Sequence, residues 1–176
     1  MAEKPKPNLT RIRLLVLDVD GVLTDGKLTI SSDGAESKSF DILDDHGIRL
    51  WKRAGLDVAL LSGRMSEPTS RRARQMQIEH VLQNCHHKLP VVEQLVEKLQ
   101  LSPQDVAYVG DDLPDLPPIT YAGFGVAVAN AVDEVKKHAD YVTAHFGGSG
   151  AVREVIEYIL KASGKWPDIM KRYMED

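Results

Sequence analysis

Apolar residues along the chain gather in two ways. Short continuous runs stand at 12–19, 58–61, 81–82, 106–109, 125–128 and 141–142. They are too short for buried helices and are bounded by Gly, Pro, Asp or Ser, so they are predicted to be buried strands. Between them, apolar positions three or four apart predict helices over 47–54, 67–76, 89–99, 132–137 and 151–162. Strand and helix units alternating at this size predict an α/β fold: a doubly wound, mainly parallel, Rossmann-like sheet.

One segment breaks the alternation. At 27–42, Leu28 and Ile30 alternate with Thr29 and Ser31, Ser32-Asp33-Gly34-Ala35 follows, and a second polar-alternating run leads to Phe40. The Asp-Gly signal predicts an inserted β-hairpin at about 26–42. A lone two-stranded ribbon is marginal in water, so this one is expected to pack on another surface, with a second subunit as the candidate. The resulting division is a flexible N-terminus at 1–10, a single domain over 11–163, and a tail at 164–176. Gly147-Gly148-Ser149-Gly150 reads as a flexible turn before the last helix.

Composition narrows the classes of partner. In 176 residues, 22 Lys and Arg face 26 Asp and Glu, for a net charge of −4. Such a balance carries no electrostatic footprint for nucleic acid or an anionic membrane, so the expected ligand is a small molecule. A single cysteine, Cys85, cannot form an internal disulfide. With no apolar leader in the first ten residues and no run long enough to span a bilayer, the expected location is the cytoplasm.

The chemistry is concentrated where strands end. The first strand closes on Asp18-Val19-Asp20-Gly21-Val22-Leu23-Thr24-Asp25, and a later one on Gly110-Asp111-Asp112-Leu113-Pro114-Asp115. Open α/β sheets bind ligands just beyond such carboxyl ends. Carboxylates converging on one sheet edge repel unless a cation lies between them, which implies a hard ion with oxygen ligands, magnesium foremost. An isolated Asp-x-Asp is more often a turn with capping acids. Its company changes the reading: Leu60-Leu61-Ser62-Gly63-Arg64 ends another strand with a hydroxyl, a glycine and a cation, and Lys88 opens a helix. Adjacent His86 and His87 lack the spaced ligands of a transition-metal site and are expected at the surface or the site rim.

The order Asp-x-Asp-Gly-x-Leu-Thr-Asp, Ser-Gly-Arg, Lys and Gly-Asp-Asp-x-x-Asp resembles the haloacid dehalogenase superfamily of phosphatases. The hairpin and the run from Gly147 to Glu154 are similar to its capless branch, which acts on phosphorylated sugar acids such as 3-deoxy-D-manno-octulosonate 8-phosphate. The likeness extends from Ile12 to about Ala162. It implies that Asp18 attacks phosphorus to form an aspartyl phosphate and that Asp20 serves as acid and then base. It further implies Mg2+ held by Asp18, the Asp20 backbone carbonyl and Asp111, with Asp112 and Asp115 as supporting acids. Ser62, Gly63 and Lys88 would contact the phosphoryl group and Arg64 the sugar acid. A homotetramer in which hairpins pack together is implied as well.

Two features depart from that pattern. Leu43-Asp44-Asp45-His46-Gly47 stands where relatives carry Arg-Asp-Gly-x-Gly, and the tail beyond Ala162 is longer. Both bear on which ester is cleaved, and a related nonulosonate phosphate is the alternative substrate. Two other classes also fit parts of the pattern. A signalling receiver domain shares the phosphorylated aspartate, the hydroxyl and the lysine, but carries its acidic pair early rather than after Lys88. A non-catalytic regulatory or oligomerisation module would be free to lose Asp20 or Lys88, and both are present.

Overall fold

The computed structural model describes residues 6–175. Residues 1–5 of the N-terminal segment and the last residue of the tail lie outside them. Eight strands are formed: β1 (Leu14–Leu17), β2 (Thr29–Ile30), β3 (Glu36–Ser37), β4 (Asp57–Leu61), β5 (His80–Leu82), β6 (Val106–Gly110), β7 (Phe124–Ala127) and β8 (Tyr141–Val142). The helices are α1 (Ile42–Arg53), α2 (Glu67–Met76), α3 (Lys88–Lys98), α4 (Leu116–Tyr121), α5 (Asp133–His138), α6 (Ala151–Ala162) and α7 (Trp166–Met174).

Six strands make one parallel sheet in the order β5-β4-β1-β6-β7-β8. Chain order runs outward from β1 to β5 on one side and from β6 to β8 on the other, so the winding reverses between β1 and β6. Leu17 is in register with Leu60 on one side and Val109 on the other. The acids that follow β1 and β6 therefore emerge side by side at the switch point, where open sheets bind ligands. All four residues of β1 and all five of β6 are buried, as strands covered on both faces require. Helix α1 packs against α6 and α2, while α4 packs against α3 and α5. This is the doubly wound α/β architecture expected from the alternation, and β2 and β3 pair as the separate antiparallel hairpin.

Three elements differ from expectation for identifiable reasons. Helix α1 begins at Ile42 rather than at 47, because Asp41 caps it by accepting a hydrogen bond from Leu43 N, and Asp44 and Asp45 favour the positive end of the helix dipole. Helix α4 escapes a proline-based reading because Pro117 and Pro118 sit in its first turn, where no intrahelical N–H is needed. The tail folds as α7 against α6. Trp166 and Ile169 pack on the core, Lys161 Nζ lies 4.9 Å over the Trp166 ring, and Tyr173 Oη accepts a 2.7 Å hydrogen bond from Arg53. Among residues 6–10, Asn8 caps a short 3-10 turn at Leu9–Arg11, which Arg11 ties to Asp105 at 3.0 Å.

Candidate active site

The loop after β1 is folded tightly on itself. Leu23 N and Thr24 N both donate to Val19 O, and the buried Thr24 hydroxyl accepts from Gly21 N and Gly26 N. Gly21 takes φ +100°, and a side chain there would collide with the Asp111 carboxylate. A second loop clamps this one: Asn130 donates to Gly21 O and accepts from Gly147 N, while Gly148 N donates to Val22 O. A Cβ on Gly147 would collide with Gly21 O, so the Gly147–Gly150 stretch is a packed buttress rather than a loose turn. Asn130 carries no local sequence signal for this role.

Asp18 is 5% exposed at the end of β1. Its Oδ1 accepts a 2.7 Å hydrogen bond from Lys88 Nζ, which also donates to Asp115 Oδ1 at 2.6 Å. Lys88 opens α3, is 6% exposed, and has its pKa raised by the two carboxylates it touches, although burial opposes the shift. Asp115 is saturated: Oδ1 also accepts from Tyr108 Oη at 2.6 Å, and Oδ2 from Asp111 N and Asp112 N. Four donors use up a carboxylate's acceptor capacity, so Asp115 aims Lys88 rather than offering a lone pair to a further ligand. Tyr108, fully buried in the central strand β6, reads in sequence as an apolar core position. Nothing local marks its hydroxyl as part of the site.

Oxygens of Asp18, Asp111 and Asp115 lie within 4.8 Å of one another. Burial, and then the neighbouring Asp115, push the Asp18 carboxyl well above the usual range and the Asp111 carboxyl up to about 6. Both carboxyls therefore hold a proton more readily than an isolated aspartate does. An all-oxygen cluster that gathers protons in this way matches what a hard divalent cation would neutralise, with Asp18 and Asp111 as the free donors.

The remaining expected residues take distinct positions. The Asp20 carboxylate turns away from this cluster to pair with Lys38 on the hairpin at 2.6 Å. Ser62 follows β4, is buried, and accepts from Arg64 N at 3.1 Å, so the Ser62-Gly63-Arg64 turn is held tightly at the end of that strand. Arg64 itself is 56% exposed, with Glu36 of the hairpin at 3.7 Å. Asp112 is exposed and caps the following turn through Leu113 N. His86 and His87 are exposed. In the departing segment, Asp44 accepts from Gly150 N and Arg153 N and so caps α6 from α1, while Asp45 pairs with Arg72 of α2 at 3.1 Å. Nothing in the sequence marks Lys38 and Glu36, because a polar hairpin gives no reason to expect a buried ammonium.

Comparison with known proteins agrees with this geometry. Residues 59–156 match the family described as haloacid dehalogenase-like hydrolase. The chain is 45% identical over 154 residues to 3-deoxy-D-manno-octulosonate 8-phosphate phosphatase KdsC of Escherichia coli strain K12, covering 88% of this chain and 82% of that protein. Its structure superposes with a TM-score of 0.93 on a probable YrbI family phosphatase from Pseudomonas syringae pv. phaseolica, 46% identical and covering 96% of each chain. With a TM-score of 0.92 it matches the 3-deoxy-D-manno-octulosonate 8-phosphate phosphatase of Moraxella catarrhalis, solved with magnesium, phosphate and 3-deoxy-D-manno-octulosonate. That protein is 39% identical, with 94% of this chain and 95% of the other covered.

Proposed function

Because this chain belongs to the haloacid dehalogenase-like hydrolases, we propose that it is a magnesium-dependent phosphatase of 3-deoxy-D-manno-octulosonate 8-phosphate, acting through an aspartyl phosphate. The observation that carries the reading is the buried Lys88 bridging Asp18 and Asp115 beside Asp111. Asp18, the Asp20 backbone carbonyl and Asp111 would hold the ion, which when bound supplies positive charge against the phosphoryl oxygens.

The chain's own groups carry the rest. A carboxylate oxygen of Asp18 attacks phosphorus, the ester P–O bond breaks, and its electron pair stays on the sugar oxygen. Asp20 delivers the proton that neutralises that oxygen. In the second half, a water oxygen attacks phosphorus and loses its proton to Asp20. The acyl-phosphate bond then opens, returning Asp18 and releasing inorganic phosphate. Lys88 offsets charge on the phosphoryl oxygens, and the Ser62-Gly63-Arg64 turn supplies hydrogen-bond donors to them. Asp115 holds Lys88 in place, and Asp112 supports the loop through its cap.

The same reading takes residues 11–163 as a single catalytic domain. It takes the assembly as a homotetramer built through the hairpin, and the location as the cytoplasm. Among the described residues no helix is long and apolar enough to cross a membrane. The decisive test measures phosphate release from a panel of sugar and sugar-acid phosphates with magnesium present and chelated. Preference for the octulosonate ester, lost on chelation, is the expected result. Turnover of neutral sugar phosphates at equal efficiency would reject the substrate assignment.

A further inference from the structure

Lys38 lies just past β3, in the exposed hairpin, yet its side chain has 0% exposure. Its ammonium is 2.6 Å from Asp20 Oδ1, 3.4 Å from Thr69 Oγ1 on α2, and 3.6 Å from Glu36 Oε1. Three oxygens thus meet the three protons of an ammonium group. Burying an ammonium is costly, and a lysine on a polar ribbon could reach water by a rotamer change, so fold stability is a weak reason for this arrangement. Glu36 latches the same ribbon to the rest of the protein. Its Oε1 accepts from Ser66 Oγ, the cap of α2, at 2.6 Å, and its Oε2 faces Arg64 at 3.7 Å. Among the described residues, Lys38 is the only ion-pair partner of Asp20.

We propose that Lys38 is the positioning residue for Asp20: it pins Oδ1 and leaves Oδ2 turned to the ester oxygen that takes the proton. The inference rests on the role of Asp20 as acid and base given above. The side chains themselves support a division of labour. Asp18 is 7% exposed and enclosed with Lys88, whereas Asp20 is 28% exposed and keeps a carboxylate oxygen accessible to solvent. An unpinned carboxylate on this loop would sample several rotamers, and proton delivery requires hydrogen-bond reach of one particular oxygen. The hairpin is then an arm of the catalytic machinery, contributed by the same chain whose loop carries Asp20.

The prediction concerns leaving groups. A good leaving group departs from phosphorus unprotonated, whereas an alkoxide needs the proton, so mispositioning Asp20 must penalise alkyl esters selectively. With magnesium-loaded enzyme, kcat/KM, which reports steps up to phosphoenzyme formation, would be measured for a series of aryl phosphates of rising phenol pKa and for a sugar phosphate. The variants are Lys38→Met, Lys38→Arg and Asp20→Asn. Lys38→Met should lose about 10- to 100-fold on the sugar ester and change less than about threefold on p-nitrophenyl phosphate, steepening the leaving-group slope. Lys38→Arg, which keeps the charged donor, should restore most of the slope, and sedimentation should match the parent. If Asp20→Asn steepens the slope while Lys38→Met does not, Lys38 is only structural and the inference is overturned. If Asp20→Asn itself leaves the slope unchanged, the acid–base role of Asp20 falls instead. Should Lys38→Met fail to fold, Lys38→Gln is measured in its place against the same two outcomes.

Discussion

Lys88 Nζ lies 2.7 Å from Asp18 Oδ1 although the two residues are 70 positions apart in the chain. This contact joins the end of β1 to the start of α3. On the mechanism proposed above, the attacking carboxylate and its charge partner act as a single unit, so the two losses should not add. Asp18→Asn is expected to lower kcat by about 10⁴-fold or more, because the covalent route is lost. Lys88→Met should lower it by about 10²- to 10³-fold, and the double variant should be no worse than Asp18→Asn. Quench-flow trapping of a phosphorylated enzyme checks the assignment directly. An acid-stable protein phosphate at full stoichiometry in Asp18→Asn would place the nucleophile elsewhere.

Magnesium should stabilise the fold as well as support turnover. The Asp18 and Asp111 carboxyls both sit above the usual range, so magnesium binding should release protons, and a buffer-dependent calorimetric enthalpy would report them. Magnesium at about a hundred times its dissociation constant should add about 2.7 kcal/mol of stability. Asp111→Asn should lose most of that gain; a melting temperature equally raised by magnesium in this variant would remove Asp111 from the ligand set.

Asp44 supplies a pH dependence outside the metal cluster. Burial raises its pKa from 3.8 to about 6 despite the backbone N–H groups it accepts from. Its folded-state pKa exceeds its unfolded value, so the folded protein binds the extra proton, and this contribution to stability is lost as pH rises through about 6. Between pH 5 and pH 7 the stability of the parent relative to Asp44→Asn should fall by about 1 to 2 kcal/mol. Urea unfolding of both proteins across that range tests it, and a difference that stays flat or grows with pH would be contrary to expectation.

Arg64 stands 56% exposed, with only a 3.7 Å approach to Glu36 to hold it. A guanidinium so weakly engaged is free to receive the carboxylate of an acidic sugar as a two-pronged partner. Arg64→Ala should raise KM for sugar-acid phosphates about tenfold or more while changing neutral sugar phosphates little, since a charged hydrogen bond contributes roughly 1.5–3 kcal/mol. Equal increases for both classes would point to the phosphoryl group as its target.

The hairpin leaves Ile30 66% exposed, whereas Phe40 is already packed on the core beneath Arg72. If four hairpins meet in a tetramer, Ile30 is the side chain that burial would reward, at roughly 1.5–3 kcal/mol per copy. Ile30→Asp should shift sedimentation toward smaller species and leave the far-ultraviolet spectrum unchanged. A parent protein that sediments as a monomer at micromolar concentration would exclude the assembly.

What could be read from the chain alone was whatever local pattern encodes. Apolar runs located six sheet strands, periodicity bounded α2 and α6 at the residues where the structure has them, and the spaced motifs named Asp18, Lys88, Asp111 and Asp115, which the structure brings together. Those signals are local because a buried strand and an amphipathic helix each impose their own period on the sequence. Tertiary structure decided the rest. It alone shows that Asp115 is spent on Lys88, Tyr108 and two backbone amides rather than free for a metal, and that Asn130 clamps the catalytic loop. It alone shows that the polar hairpin sends a buried ammonium to Asp20, and that the tail docks as α7. Each is a hydrogen bond, an ion pair or a packing contact between residues distant in sequence, and no local periodicity registers a partner that arrives only when the chain has folded.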